Sequence, residues 1–217
     1  MDVAIAGGHG KIALRLERLL SGAGHRVRAI IRNPDHAADV GAAGAEPCVL
    51  DLEALAGMTD LTDAVRGADA VVFAAGAGPG SGPERKRTVD YGSAVKLIAA
   101  AQAADVDRYL MVSSIGADRP DEGQGPMRAY LQAKADADEA LGASDLAWTI
   151  VRPVSLTDDP GTGLVTVAEH LDHRGTVSRD DVAAVLASVL TDALAVRRTF
   201  EVSSGDTSIR EALAALR

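Results

Sequence analysis

The chain has one cysteine, Cys48, in 217 residues. A lone cysteine excludes an intramolecular disulfide and any zinc site built on a set of cysteines. It falls in the apolar run Pro47-Cys48-Val49-Leu50 and is expected as inert core. Aromatic residues make up only 3%, so a core must come from aliphatic and small side chains, with helices packed closely on a sheet. Basic residues are outnumbered 22 to 31, for a formal net charge of −9, which argues against nucleic acid as a partner. No apolar run is long enough to span a bilayer, and no charged n-region precedes an apolar h-region. The expected location is cytoplasmic, without a membrane partner. His170-x-x-His173 lacks a metal-ligand context, and no metal is expected.

What is present is concentrated at the start. Asp2-Val3-Ala4-Ile5-Ala6 reads as a buried strand. It runs into Gly7-Gly8-His9-Gly10-Lys11-Ile12-Ala13 and then into Leu14, Leu16, Leu19 and Leu20 at helical spacing. Strand, glycine turn and helix in that order make a phosphate cradle. Gly7 allows a sharp turn, and Gly10 lets a pyrophosphate approach the backbone. Ala13, where a third glycine is usual, still permits tight helix–strand packing. The anion would sit at a helix N-terminus, where free N–H groups and the helix dipole favour negative charge.

A second strand, Arg26 to Ile31, ends at Arg32-Asn33-Pro34. An acid at this point would accept hydrogen bonds from the ribose hydroxyls of NAD, whereas an arginine can pair with the 2′-phosphate of NADP. Arg32 therefore points to NADP(H) over NAD(H).

Strands and helices alternate along the whole chain. Helices are expected over 35–43, 61–66, 84–104, 128–141, 182–190 and 209–216. Strands are expected over 46–50, 70–75, 108–112, 146–151 and 199–202. Ser178 reads as the cap of the helix that follows it. The pattern predicts an α/β, Rossmann-like, doubly wound and mostly parallel sheet with helices on both faces. One domain over 1–217 is expected, with a less regular substrate-side region at about 153–177. Ligands of such sheets bind at the carboxyl ends of the strands. The glycine-rich loop Gly76 to Gly82, with Pro79, follows one of those ends.

A second constellation follows the fifth strand. That strand ends in Val112-Ser113-Ser114, and Tyr130-Leu131-Gln132-Ala133-Lys134 forms Y-x-x-x-K on the next helix. Positions i and i+4 share a helix face, so the lysine ammonium can favour the tyrosine phenolate. Such a tyrosine can give a proton to a carbonyl oxygen, or take one from an alcohol, while hydride moves to or from nicotinamide. A serine at the neighbouring strand end can hydrogen-bond the substrate oxygen.

These motifs together resemble the short-chain dehydrogenase/reductase superfamily, in particular its atypical single-domain NAD(P)-binding members related to epimerase/dehydratase proteins. The resemblance spans the chain. It runs through Gly7-x-x-Gly10-x-x-Ala13, Asp51-Leu52, Ala74-Ala75-Gly76, Val89-Asp90-Tyr91, Ser113-Ser114, Tyr130/Lys134 and Thr149 to Pro153, and ends in the stretch from Arg174 to Ala183. It implies that Gly7, His9, Gly10, Lys11 and Ile12 wrap the pyrophosphate and that Arg32 holds the 2′-phosphate. Asp51 and Leu52 would flank the adenine, and Ala74, Ala75 and Gly76 would line the ribose and pyrophosphate path. Lys134 would meet the nicotinamide ribose, with Pro153 and Val154 behind the nicotinamide. Ser114, Tyr130 and Lys134 would be catalytic. Asp90 stands where such proteins carry an asparagine, which brings it into the proton relay.

The expected function is an NADP(H)-dependent oxidoreductase acting on a small carbonyl, alcohol or similar hydride acceptor. The alternatives are a non-catalytic NADP(H)-sensing regulator and an NAD(P)-dependent epimerase or dehydratase. The expected partner is a small-molecule substrate; monomer and homodimer are both left open.

Overall fold

The structure, a computed structural model, describes residues 1–78, 80–172 and 175–216. Pro79, His173 and Arg174 lie outside the described residues. The chain begins with β1 (Asp2–Ala6), α1 (Lys11–Gly22) and β2 (Arg26–Ile31). A 3₁₀ turn at Pro34–His36, capped by the Asn33 side chain accepting from the Asp35 N–H, leads into α2 (Ala37–Ala42). β3 (Glu46–Val49), α3 (Thr59–Val65) and β4 (Ala70–Phe73) complete the first half.

The expected long helix is three segments in series: α4 (Pro83–Arg85), a π-helical stretch Lys86–Ser93, and α5 (Ala94–Ala103). A π stretch widens the helix locally and shifts which residues face inward. Here it puts Val89, Asp90 and Ser93 on the buried side. β5 (Arg108–Val112), α6 (Pro126–Gly142) and β6 (Ala147–Pro153) follow. α6 starts with proline at its first turn, where no backbone N–H is needed. The chain ends with β7 (Ser155–Thr157), β8 (Leu164–Ala168), β9 (Thr176–Ser178), α7 (Arg179–Thr191), β10 (Arg198–Ser204), β11 (Thr207–Ser208) and α8 (Ile209–Ala214). Ser178 caps α7 by accepting from the Asp181 N–H at 2.9 Å, as its sequence pattern predicts.

Among the described residues the sheet has nine strands in the order β11-β8-β10-β6-β5-β4-β1-β2-β3. All pairings from β10 to β3 are parallel; at the other end β8 runs antiparallel to β10, and the short β11, antiparallel to β8, forms the edge. The strand order reverses between β1 and β4, which opens a crevice at their carboxyl ends. This is the Rossmann-like α/β sheet that the alternation predicts. One face packs α1 and α7 through Leu16, Leu20, Val182 and Leu186. The other packs α3, α5 and α6 through Leu61, Leu97 and Leu141. Each fully buried leucine contributes roughly 1.5–3 kcal/mol. Tyr109, Phe73 and Phe200 are the largest fully buried side chains, so the few aromatics sit in the centre.

Several boundaries differ from the sequence reading. β3 stops at Val49 and β4 at Phe73. Ala74 and Ala75 leave the sheet because Ala75 packs directly against Gly7. Cys48 is half-buried rather than core, since β3 is the outer strand and carries Pro47, a residue suited to an edge. The region 153–177 contains β7, β8 and β9. β7 and β9 pair in a small separate sheet, and β8 pairs only with distant β10 and β11. Such short strands are specified by remote partners, so no local periodicity marks them.

Candidate cofactor and active site

The glycine loop lies at the carboxyl end of β1. Gly7 has φ +81°, and a Cβ there would meet the Ala75 Cα and N at 2.6 Å. Only glycine fits both the backbone angle and the contact. A Cβ on Gly8 would lie 2.6 Å from the Ala29 Cβ, and one on Gly10 would lie 3.1 Å from the Gly7 carbonyl oxygen. The loop is therefore pressed onto β2 and onto the residues that follow β4; the Gly7 and Gly8 N–H groups both donate to the Ile30 carbonyl at 3.1 Å. Among the described residues no side chain caps α1, whose N-cap is Gly10, which leaves the first turn's N–H groups for an anion.

A cavity of about 270 Å³ opens beside this loop. Gly7, His9, Gly10, Arg32, Asp51, Leu52, Ala74, Ala75 and Gly76 line it. Nine of the residues that the sequence assigns to cofactor binding thus come together, from the ends of β1, β2, β3 and β4. Arg32 Nη1 donates to Glu53 Oε2 at 3.1 Å, and Arg85 Nη2 donates to the same oxygen at 3.1 Å. The Asp51 side chain accepts from the Glu53 N–H at 2.9 Å and so shapes the turn. His9 stacks on His36 with ring centroids 3.6 Å apart, and its Nε2 lies 2.8 Å from Asp39 Oδ2.

Glu53 and His36 also line this cavity and were not singled out from the sequence. Arg85 lines it too; its run, Arg85-Lys86-Arg87, reads as a solvated face, with contact to an anionic ligand as the alternative, and the helix turns Arg85 towards the cavity. Burial of Glu53 works against its charge. The Thr88 hydroxyl and the Arg85 and Arg32 guanidiniums outweigh that and hold its carboxyl below the usual range.

Two of the residues assigned to the pyrophosphate stand elsewhere. Ile12 is a buried core residue packed with Leu16 and Leu20, so its side chain faces the sheet and only its backbone can face a phosphate. Lys11 Nζ donates to Asp158 Oδ2 at 2.5 Å. Asp158 also meets Arg179 at 3.0 Å and Arg15 at 3.5 Å. The Lys11 hydrogen bond above all holds the Asp158 carboxyl low. The sequence Asp158-Asp159-Pro160-Gly161, readable as a plain turn, is thus tied to α1 and α7.

A larger cavity, about 820 Å³, opens at the ends of β5 and β6. Ser114, Tyr130, Pro153 and Val154 line it, with Arg119, Gln124, Met127, Leu156 and Arg179 among the remaining wall residues. Ser114 Oγ donates to the Ile115 carbonyl at 3.2 Å. Ser113 Oγ instead donates to buried Asp138 Oδ2 at 2.9 Å. Both serines line the cavity, but the Ser113 hydroxyl is committed to a buried carboxylate, whereas Ser114 bonds only to its neighbour's carbonyl among the described residues.

Lys134 lies one turn below Tyr130 on α6, with 4% of its surface exposed. Its Nζ donates to the Val112 carbonyl at 3.1 Å, stands 3.3 Å from Asp90 Oδ1, and lies 5.9 Å from the Tyr130 ring centroid. The Asp90 contact is an ion pair rather than an aligned hydrogen bond, since Oδ1 has no hydrogen-bond partner among the described residues. Asp90 Oδ2 accepts from the Ala77 N–H at 3.2 Å, which ties the π-helical stretch to the loop after β4. Burial alone would lower the Lys134 pKa; Tyr130, Asp90 and Asp138 outweigh it and hold the ammonium above its ordinary value. Asp138 continues the same helix face one turn further. Burial raises its pKa, against the pull of Arg152, Ser113 and Lys134. Arg152 Nε donates to Asp138 Oδ2 at 3.0 Å. Lys86 Nζ stands 5.1 Å from the Tyr130 ring centroid, so Tyr130 lies near two ammonium groups.

A family model described as NAD(P)H-binding matches residues 7–193. A Bacillus subtilis protein named as an uncharacterized sugar epimerase, YhfK, is 38% identical over 214 residues, covering 98% of this chain and 99% of its own length. Among solved structures, a putative NAD-dependent epimerase/dehydratase from Bacillus halodurans is 38% identical with a TM-score of 0.93, covering 100% of both chains. The oxidoreductase ylbE from Lactococcus lactis is 25% identical with a TM-score of 0.85, over 100% of this chain and 96% of that one. Among the described residues, no helix is long and apolar enough to cross a membrane. With its glycine cradle and its Rossmann-like sheet, the chain belongs to the NAD(P)H-binding family, among the atypical short-chain dehydrogenase/reductase-like proteins.

Proposed function

We propose that the protein is an NADP(H)-dependent oxidoreductase acting on a small carbonyl, an alcohol or a similar hydride acceptor. The observation that carries this reading is the placement of Ser114 and Tyr130 on one cavity wall, with charged Lys134 buried beneath the tyrosine. The nicotinamide would supply or accept the hydride. The chain's own residues would manage the proton. Tyr130 gives its hydroxyl proton to the substrate oxygen in the reducing direction and regains it in the oxidising one. Lys134 stabilises the phenolate left behind, and Asp90 holds the lysine in place. The Ser114 hydroxyl donates to the substrate oxygen and orients it.

Residues present fit the cofactor. Gly7 and Gly10 leave room for a pyrophosphate at the start of α1, and Arg32 with Arg85 gives the rim near the end of β2 positive charge for a 2′-phosphate. Lys134 lines neither cavity, so its part is electrostatic support of Tyr130. Contact with the nicotinamide ribose would require it to exchange its Val112 and Asp90 partners.

Tyr130→Phe tests the reading. Turnover of a carbonyl substrate with NADPH should fall roughly 10²–10⁴-fold, with NADPH affinity nearly unchanged. An unchanged rate would remove Tyr130 from the mechanism. Absence of turnover in the parent across a carbonyl and alcohol screen would favour a nucleotide-sensing regulator. The names of YhfK and the Bacillus halodurans protein favour a second reading, an epimerase or dehydratase that recycles its nicotinamide. Nucleotide that stays bound through purification would support it.

A further inference from the structure

Asp118, His170 and Glu201 meet beside the substrate-side cavity, although the sequence separates them widely. One donor atom from each lies within 4.8 Å of the other two. His170 Nδ1 is 3.5 Å from Asp118 Oδ2. Asp118 follows β5, His170 follows β8, and Glu201 lies inside β10, paired across from Ala168 and Arg152. The fold therefore converges three separate segments on one point.

Glu201 is the informative member. It is fully buried. Its Oε2 accepts from the Leu171 N–H at 2.7 Å, while its Oε1 has no hydrogen-bond partner among the described residues. An unsatisfied buried carboxylate oxygen is costly unless a cation or donor meets it. Asp118 and His170 have exposed faces, so water could complete a coordination shell around an ion placed between them and Glu201.

We propose that Asp118, His170 and Glu201 bind a first-row divalent cation, of the class of Zn²⁺ or Mn²⁺. One imidazole and two carboxylates suit such ions, with bonds of about 2.0–2.2 Å. Donor atoms on one ion are at most about 4.2 Å apart, twice such a bond length, so the exposed Asp118 and His170 side chains must close slightly on Glu201. Charge also permits it. Arg119 and Arg152 stand 3.3 and 3.9 Å from Asp118. Arg119 also reaches Glu122 at 3.8 Å, and Arg152 reaches Asp138 at 3.0 Å. Two guanidiniums are thus shared among Asp118, Glu122 and Asp138, and Glu201 has no ion-pair partner among the described residues, an excess of carboxylate that a divalent ion would balance. Leu171, Asp172 and Arg119 line the larger cavity, so the ion would fix part of its wall. Its role is positioning and does not depend on the proposed reaction.

The test uses the full chain stripped of metal with a chelator. Mn²⁺ is titrated by the loss of its free-ion paramagnetic resonance signal, and Zn²⁺ by calorimetry. The site predicts one saturable equivalent of either ion and a raised melting temperature. His170→Ala and Glu201→Gln should each weaken binding by more than about tenfold, while Asp192→Asn should not. If Glu201→Gln fails to fold, His170→Ala, at an exposed side chain, carries the test. No saturable binding would overturn the proposal. Binding that survives the His170 substitution would overturn it equally, because it would belong to scattered surface acids.

Discussion

On the β1–β4 side of the sheet the cavity wall is mostly backbone and small side chains: Gly7, Gly10, Ala74, Ala75 and Gly76. On the β5–β6 side the wall is mostly side chains drawn from separate segments, Ser114, Tyr130, Arg119, Leu156 and Arg179 among them. The first side depends on what is absent, a Cβ at the turn and a cap on the helix. The second depends on buried charge, with Lys134 between Asp90 and the Tyr130 ring and Asp138 between Ser113 and Arg152. A nucleotide phosphate needs free N–H groups and space, which glycine supplies locally. Proton transfer needs charges held in place, which requires partners from several elements.

That contrast can be broken from either side. Asp90→Ala should have the largest effect, because it leaves the Lys134 ammonium buried without its nearest carboxylate. Losing one member of a buried pair costs roughly 3–5 kcal/mol, to be read from chemical denaturation. A stability within the error of the parent would show that the Val112 carbonyl and Asp138 suffice for Lys134. Gly7→Ala attacks the other side. It forces a Cβ into a positive-φ residue and onto Ala75, at a cost of roughly 2–5 kcal/mol. NADPH binding should fall with it. An alanine variant with parental binding would mean that the loop is not the cradle.

A third prediction sharpens the comparison, because the glycine side also holds one buried acid. Glu17 on α1 is fully buried, neither of its oxygens has a hydrogen-bond partner among the described residues, and burial pushes its pKa up to about 8. A Cβ on Gly8 would lie 3.1 Å from its Oε1. The unfolded chain releases this proton near 4.5; the folded chain keeps it to about 8. Between those values the folded state binds more protons, so stability falls as pH rises, by roughly 1.4 kcal/mol per pH unit at most, and is flat above. Glu17→Gln should remove that slope in denaturation curves taken from pH 5 to 8. A slope that persists in the variant would assign it to another group.

The glycine side was legible because its signal is local. Gly7, Gly10 and Arg32 lie within one strand–turn–helix–strand unit, and the backbone demands of a phosphate leave few alternatives. The i, i+4 spacing placed Tyr130 and Lys134 on one helix face, and the helix axis then carries that face on to Asp138. The sequence could not show that Lys134 would be sealed beneath the cavity, because that depends on Asp90 being turned inward by a π-helical stretch. Nor could it show Glu53 or His36 at the nucleotide cavity, or decide between a solvated Arg85 and one that faces an anion, since isolated charges on loops and helix starts look alike whether solvated or paired. β7, β8 and β9, and with them the meeting of His170 with Asp118 and Glu201, follow from the pairing of β7 with β9 and of β8 with β10 and β11, partners that lie far along the chain.

The most direct measurement is fluorescence titration of NADPH and NADH on the parent and on Arg32→Ala. The account predicts tighter NADPH binding by the parent and a loss of that preference in the variant, worth roughly 1.5–3 kcal/mol for a charge-assisted phosphate contact. If neither nucleotide binds the parent, or if Arg32→Ala leaves the preference intact, the cavity at the glycine loop is not the NADP(H) site described.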